Sequence, residues 1–212
     1  EFRTDYRGYL ATDDPYLQNL LRVNDTFTSS DNVIFVLAPA SGEVFSAEFL
    51  QQMVEMMDDA WKLPFSSRVD SLSNYQHSRS EDDEITVSDL VTDPSTMTGA
   101  ELAALRATAL ANDEIVGRLL SRQGDVAAIA VTHILPGDDF SETFTAAEAA
   151  RALAERYRQR YPDTRIYLTG MLMGNHAPLE IILDDNTTLV PIMFVVIGVM
   201  LTLLFRSLIA TG

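Results

Sequence analysis

The side chains that most often do chemistry are few in this sequence and widely separated. The histidines His77, His133 and His176 are isolated, without the H-x-x-x-H spacing that places two zinc ligands on one helix face. The chain has no cysteine, which excludes disulfides, thiolate metal sites and cysteine nucleophiles. Phosphate-binding glycine loops and the G-x-S-x-G nucleophile motif are also missing. We therefore expect no enzyme activity, no cofactor and no metal. No residue can be assigned a catalytic or substrate-binding role from the sequence.

Acidic and sulfur-containing residues have structural interpretations that compete with functional ones. The run EDDE at residues 81–84 lacks the alternating ligands and glycine turn of a calcium loop, which favours a solvated loop tip. The pairs Asp58–Asp59 and Asp138–Asp139 lie next to predicted helix ends, where capping explains them. Five methionines are candidates to line an apolar substrate path, although core packing is their commoner use: Met53, Met56, Met57, Met171 and Met173.

Charge divides the 212-residue chain into two unequal parts. Residues 1–186 hold 31 acidic and 14 basic residues, a net charge of -17, so we expect no nucleic-acid partner. Residues 187–205 carry no charge, and as a helix they would span about 28 Å, close to the thickness of a bilayer core. This run predicts a transmembrane helix with Pro191 near its first turn. A buried core helix is the alternative.

The flanks of this run predict its orientation. Asp184 and Asp185 precede it and Arg206 follows it, so the positive-inside rule places residues 1–186 outside the cytoplasm and Gly212 inside. An outer amino terminus needs an earlier translocation signal, most simply a preceding span. We therefore expect the chain to be a fragment of a multi-pass protein of the inner (plasma) membrane, with its soluble part extracytoplasmic or periplasmic.

Periodicity and capping signals predict the elements of the soluble part. Helix starts are expected at the N-cap Ser46 and at two capping boxes, Thr98 to Glu101 and Thr145 to Glu148. Pro178 is expected in the first turn of a last helix. Strands are predicted at residues 32–38, 69–75, 85–90, 126–132 and 165–169, a polar loop at 76–84 and a second helical turn at 113–122.

This order is β-α-β, a hairpin with a helical insertion, and a second β-α-β. It predicts an α+β fold, a ferredoxin-like split βαβ sandwich with helices on one face and strands 32–38 and 126–132 in the centre. The continuously apolar run at 32–38 predicts a strand covered on both faces. The predicted domains are a connector at 1–31, the sandwich at 32–178 with an insertion at 98–122, and a connector and membrane helix at 179–212 with its core at 187–205.

Several short segments, taken in order, resemble a known transporter loop. They are VDSLSNY at residues 69–75, RSEDDEITVSDLV at 79–91, PDTRIYLTG at 162–170 and FRS at 205–207. Together they resemble the first extracytoplasmic loop and second spanning helix of the resistance-nodulation-division (RND) superfamily, in its MMPL-like "predicted exporter" branch. The resemblance covers nearly the whole chain.

The resemblance implies a porter loop of a proton-gradient-driven exporter, whose cargo is often a lipid or another amphiphile. The implied partners are the lipid bilayer, the remainder of the same transporter chain and a hydrophobic or amphiphilic substrate. A second copy of the chain is a further candidate partner. Two alternatives stay open: an extracytoplasmic sensor domain of a membrane-bound signalling protein and, more weakly, a tethered enzyme.

Overall fold

The structure, a computed structural model, covers most of the chain. Its backbone is described at residues 11, 13–27, 31–81, 84–91, 93–136 and 141–205, and side chains over the same set except 20–21, 24–27, 77–88, 175–187 and 204–205. The described residues up to Met173 form one compact unit, and those from Gly174 onward form a second. Each unit is considered by itself.

The described residues form a mixed α+β structure, which confirms the predicted class. A short 3-10 turn, Pro94–Thr96, precedes the third helix. The elements in chain order are α1 (Pro15–Phe27), β1 (Asp31–Pro39), α2 (Ala47–Ala60), β2 (Ser66–Ser71), β3 (Gln76–Glu81), β4 (Glu84–Asp89), α3 (Gly99–Leu110), β5 (Ala127–His133), α4 (Ser141–Arg160), β6 (Thr164–Thr169) and α5 (Met171–Phe205).

Four of these strands form one antiparallel sheet in the order β2-β5-β1-β6. The central pair is β1 and β5, with Val33 opposite Val131 and Phe35 opposite Ile129. The predicted central pairing of strands 32–38 and 126–132 is therefore confirmed. A β-bulge in β2, between Ser66 and Arg68, shifts its register against β5.

The core lies between one face of this sheet and helices α2 and α4. Along β1 the side chains alternate, and Val33, Phe35 and Leu37 are fully buried. Ile34 and Val36, on the other side of the strand, are only half-buried. The prediction that β1 is covered on both faces is wrong, because β-branched residues favour a central strand whether its second face is covered or not.

Helix starts follow the predicted caps in two of three cases. Ser46 Oγ accepts from the Phe49 amide at 3.3 Å, and Thr98 forms a complete capping box with Glu101. The third prediction is wrong: α4 begins at Ser141, and Thr145 lies inside it. There the Thr145 hydroxyl donates to the Ser141 carbonyl at 2.8 Å, a bond available to threonine within a helix.

The segment after β2 differs from its prediction. Residues 76–84 were expected to form a polar loop, but β3 and β4 pair as a separate two-stranded antiparallel sheet from Gln76 opposite Asp89 to Glu81 opposite Glu84. The residues between the strands, at 82–83, lie outside the described set. The backbone hydrogen bonds of a hairpin form whether or not one face of the strands is apolar. Hydrophobic periodicity therefore does not predict strands in a polar sequence.

The second helical turn predicted at residues 113–122 is also absent from the structure described there. Gly117 has a positive φ of 85°, and its amide donates to the Leu120 carbonyl at 2.8 Å. The Leu119 carbonyl accepts from Ala128, so this segment packs as turns beside the start of β5. Within the predicted insertion at 98–122, only Gly99–Leu110 is an α-helix.

Helix α5 begins earlier than predicted because a distant side chain caps its first turn. Gly170 has a φ of 116°, and a Cβ at that position would collide with the Asn32 carbonyl oxygen. Asn32 Oδ1 accepts from the Met171 amide at 2.9 Å. Pro178 and Pro191 therefore lie inside the helix, and the prediction that each occupies a first turn is wrong.

Judged over the residues that the structure describes, none of the helices is both long enough and apolar enough to cross a membrane. The predicted span at residues 187–205 stays a prediction.

Candidate functional site

His133 is the best-defined histidine, and it lies at the edge of the core. Cross-strand pairing puts it opposite Asp31 on β1 and Ser66 on β2, so a hydroxyl, an imidazole and a carboxylate share one row. His133 Nδ1 lies 2.9 Å from the Pro64 carbonyl, and burial lowers the pKa of the imidazole. Neither His133 Nε2 nor Ser66 Oγ reaches solvent or has a partner among the described residues.

This row has the residue types of a nucleophilic triad without its geometry. A working serine nucleophile needs a hydrogen bond to the histidine and a hydroxyl that substrate can reach, whereas Ser66 Oγ is buried and has no hydrogen-bond partner among the described residues. Sequence spacing did not signal the row, because its three members are brought together only by strand register.

The other histidines and carboxylates considered from the sequence do not form a cluster among the side chains that the structure describes. The side chains of His77, His176 and residues 81–84 lie outside the described set, as do Asp138 and Asp139. Among described side chains, no group of three or more histidine or carboxylate residues could hold a metal ion.

Asp59 has a structural role other than capping. It lies in the last turn of α2, accepts from Lys62 Nζ at 2.8 Å and from the Tyr157 hydroxyl of α4 at 3.1 Å. Its pKa is lowered, first by the Lys62 hydrogen bond. Burial and the neighbouring carboxylate raise the pKa of Tyr157, which keeps its hydroxyl a donor. The carboxylate therefore ties α2 to α4.

A second contact of the same kind joins these helices one turn away. The Tyr161 hydroxyl donates to Glu55 Oε2 at 2.9 Å, and Arg160 Nη2 lies 2.9 Å from the same oxygen. The guanidinium also lies 5.3 Å from the Tyr161 ring centroid. Two tyrosine–carboxylate contacts fix the helix pair above the sheet.

The methionines do not line a common path. Met53 and Met56 are fully buried in the core, and Met57 Sδ accepts from the Ser73 hydroxyl at 3.4 Å. Met171 is about half exposed, and Met173 packs against the core from its edge. Their positions fit packing, the commoner use of methionine.

A cleft of about 360 Å³ opens between the start of α2 and the turn that joins α4 to β6. Phe49, Gln52 and Thr164 are its buried residues, and Glu48, Arg160 and Asp163 are exposed at its rim. Thr164 Oγ1 donates to Gln52 Oε1 at 2.9 Å. Its size falls within the range of small-molecule sites, and sequence patterns gave no sign of it because its walls come from distant segments.

The second unit offers a surface of a different kind. Along α5, large apolar side chains are exposed at consecutive positions; Phe194 and Val195 are each 65% exposed and Met200 is 67% exposed. Consecutive exposure leaves no single apolar stripe, as an amphipathic helix on a protein surface would have. Thr202 Oγ1 donates to the Gly198 carbonyl at 2.8 Å, so its hydroxyl proton is satisfied within the helix.

Comparison with known proteins assigns this chain to a family. Curated proteins give no significant match. The sequence profile of the MMPL family matches residues 12–212, which include both the sheet unit and the apolar run. MMPL proteins are membrane transporters related to the RND exporters. The match extends over nearly the entire sequence, and the chain therefore belongs to the MMPL family.

Proposed function

We propose that this chain is the extracytoplasmic porter loop, with an attached membrane-spanning helix, of a proton-gradient-driven RND-type exporter. The observation that carries the proposal is the MMPL family match over residues 12–212. The cargo we propose is a lipid or another hydrophobic or amphiphilic molecule. The family match does not favour the sensor-domain alternative, which would join the same loop to a signalling module.

The apolar part of α5 supports a membrane-spanning role for residues 187–205. This run is nineteen residues long without a charge in the sequence, and the side chains of residues 188–203 are described. Exposed valine, isoleucine, phenylalanine and methionine on every side of a helix suit contact with lipid tails. The internal hydrogen bond of Thr202 removes a polar group that lipid could not satisfy.

The unit up to Met173 suits a porter element that does no covalent chemistry. Strand order β2-β5-β1-β6, with α2 following β1 and α4 following β5, supports a ferredoxin-like split βαβ sandwich. We propose that this sandwich occupies residues 32–178, with residues 1–31 as the connector from a preceding span and 179–212 as the exit into the membrane.

Energy coupling is proposed to lie elsewhere in the transporter. No ionisable residue occurs between Thr187 and Phe205, so this run offers no intramembrane proton carrier. The proposed partners are therefore the bilayer, the remaining helices of the same transporter chain, the cargo and a second copy of the protein. The proposed location is the inner (plasma) membrane, with residues 1–186 outside the cytoplasm.

Membrane topology is the first test. This segment has no native cysteine, so it contributes no background labelling by a maleimide. Asp185→Cys and Ser207→Cys are introduced separately into the full-length protein, and intact cells are treated with a membrane-impermeant maleimide. We expect position 185 to be labelled in intact cells and position 207 only after permeabilisation. Labelling of both positions from outside would contradict the orientation.

Transport is the second test. The full-length protein is reconstituted in vesicles of phosphatidylcholine and phosphatidylglycerol that contain a fluorescent phospholipid, and a proton gradient is imposed. We expect gradient-dependent movement of the lipid and its loss in Val196→Arg, because a charge at a helix centre opposes insertion by about 2.5–3.5 kcal/mol. Val196→Leu is the matched control. Lipid movement that ignores the gradient would contradict the proton-driven mechanism.

A further inference from the structure

The four-stranded sheet has two outer edges, one at β2 and one at β6. Antiparallel strands bond through alternate residues, so every second residue of an edge strand turns its backbone groups away from the sheet. The Ala40 amide donates to the Asp163 carbonyl at 2.7 Å, which fixes this alternation along β6. Ile166 and Leu168 therefore turn their N–H and C=O groups outward, where no other strand of the described residues pairs with them. Such an edge is a template for strand addition.

The edge at β2 is closed by one side chain that imitates a strand. Asn74 Nδ2 donates to the Val69 carbonyl at 2.7 Å, and Asn74 Oδ1 accepts from the Ser71 amide at 2.8 Å. A carboxamide has the donor and the acceptor of a peptide group, so it pairs with alternate residues of β2 as a neighbouring strand would. This end of β2 is therefore already occupied.

The edge at β6 is covered differently, by an arginine of α4. Arg158 Nε donates to the Ile166 carbonyl oxygen at 3.0 Å, and Arg158 Nη2 donates to the same oxygen. The remaining nitrogen, Nη1, lies 3.4 Å from Glu155 Oε2, which orients the guanidinium from three residues earlier on the helix. Two charge-assisted hydrogen bonds thus occupy the acceptor that an incoming strand would use.

A guanidinium in this position opposes strand addition in two ways. It has only donors, so it offers an incoming N–H group no acceptor in place of the Ile166 carbonyl. It also places a charge at the edge, which is one of the means by which proteins prevent edge-to-edge pairing. The strand needs such protection, because Ile166, Tyr167 and Leu168 favour β-pairing and the Tyr167 side chain is 53% exposed.

We propose that Arg158 is a guard residue that keeps the β6 edge from pairing with the β6 edge of a second copy of the chain. The second copy is the partner to exclude, because two identical antiparallel edges related by a two-fold axis are self-complementary. Contacts between copies of the protein are then confined to other surfaces. This inference rests on the geometry of the sheet and does not depend on transport.

Cross-linking at one position tests the guard, because the chain has no native cysteine. Tyr167→Cys is the reporter, placed in the full chain in detergent and treated with a bismaleimide that spans about 8 Å. If two β6 edges pair with position 167 opposite its copy, or shifted by two residues, the two thiols lie within about that distance. Arg158→Met, which keeps an apolar stem and removes every donor, should raise the association constant of the cross-linked dimer about tenfold or more, the worth of one hydrogen bond to a charged group.

Arg156→Met is the matched control on the same helix. Arg156 Nη2 lies 3.8 Å from Asp59 Oδ2, so this arginine faces α2, and its replacement removes the same charge without uncovering β6. We expect this variant to cross-link no more than the reporter chain with both arginines in place. Equal cross-linking in Arg158→Met and Arg156→Met would overturn the proposal.

A measurement with Arg158 in place does not depend on how its variant folds. In the chain that carries only Tyr167→Cys, we expect no rise in cross-linking over a roughly hundredfold range of protein concentration. Cross-linking that increases with concentration in this chain would mean that the edge is open despite Arg158, and would also overturn the proposal.

Discussion

The sheet core and the apolar part of α5 contain the same residue types, but the core buries these side chains and α5 exposes them. Phe35 and Leu37 of β1 have no exposed surface, whereas Phe194 is 65% exposed and Met200 is 67% exposed. In β1 the buried side chains alternate and face α2 and α4. In α5 the exposed apolar side chains follow one another without interruption from Ile192 to Ile197, more than one full turn, so they cannot all pack against one neighbour.

This difference teaches where each region obtains its hydrophobic stabilisation. The core removes its apolar surface from water within the chain, at about 25 cal/mol per Å². In the membrane-spanning role that we propose for it, the α5 surface obtains the same benefit from lipid tails. The first arrangement makes a fold, and the second suits a surface that works only when something else covers it.

The largest expected effect separates the two regions directly. Phe35→Ala should lower the free energy of unfolding in detergent by about 3–5 kcal/mol, since it leaves a cavity in the core between β1 and the helices α2 and α4. Phe194→Ala, the matched change on α5, should alter it by less than about 0.5 kcal/mol. Denaturant unfolding of the sheet unit, followed by near-ultraviolet circular dichroism, measures both. Equal losses for the two variants would break the comparison.

A glycine pair tests the start of α5 within the sheet unit against its continuation. Gly170→Ala should cost about 2–3 kcal/mol, because the position has a positive φ and a Cβ would collide with the Asn32 backbone. Gly174→Ala, four residues on, meets open space and should be neutral or stabilising by up to about 1 kcal/mol. The measurement is thermal unfolding of the two variants. An unchanged melting temperature in Gly170→Ala would refute the turn geometry.

The two capping-box sequences of the sheet unit sharpen the comparison further. Thr98→Ala should cost about 1 kcal/mol, since it removes the acceptor for the Glu101 amide and disrupts the reciprocal box. Thr145→Ala should cost less than about 0.5 kcal/mol, because that hydroxyl only donates back to Ser141 inside α4. Similar losses for both would mean that Thr145 acts as a cap after all. Chemical denaturation midpoints at constant m-value are the measurement.

Acid should weaken the sheet unit through His133 while leaving the uncharged run of α5 unaffected. Burial lowers the pKa of His133 below 6.5, so the unfolded chain binds a proton that the folded one resists. Stability should therefore be fully present above pH 6.5 and fall as the pH drops below it, until the folded pKa is reached. His133→Asn should abolish this slope.

Asp59 is the carboxylate control for this prediction, and it should affect stability at a lower pH than His133 does. The pKa of Asp59 is lowered from 3.8, so its contribution is retained until the pH approaches 3.8 and is lost below it. Asp59→Asn should change the unfolding curve only in that range.

The His133 prediction has its own contrary outcome. If the free energy of unfolding of the unaltered chain is as high near pH 6 as at pH 7.5, the burial assigned to His133 is wrong.

Sequence reasoning was most successful where one local signal decides the structure. β1, β5 and β6 are runs of β-branched and apolar residues between turn residues, and the Ser46 and Thr98 caps satisfy amides within three residues. It predicted β4 at residues 85–90 but failed at its partner β3, which was expected to be a polar loop, and at residues 113–122, where backbone pairing and a positive-φ glycine outweigh the local propensity. The order of short motifs also pointed to the family that the profile match shows.

The sequence by itself determined the charge-free run, the α+β class, the strong caps and the family, because each of these is written in composition or in residues close together. Only the tertiary structure decided the Asp31–His133–Ser66 row, the Asn32 cap on α5 and the Thr164–Gln52 hydrogen bond at the cleft. Those features join residues separated by tens of positions or more. Their distances are set by strand register and helix packing, which no local pattern of side chains encodes.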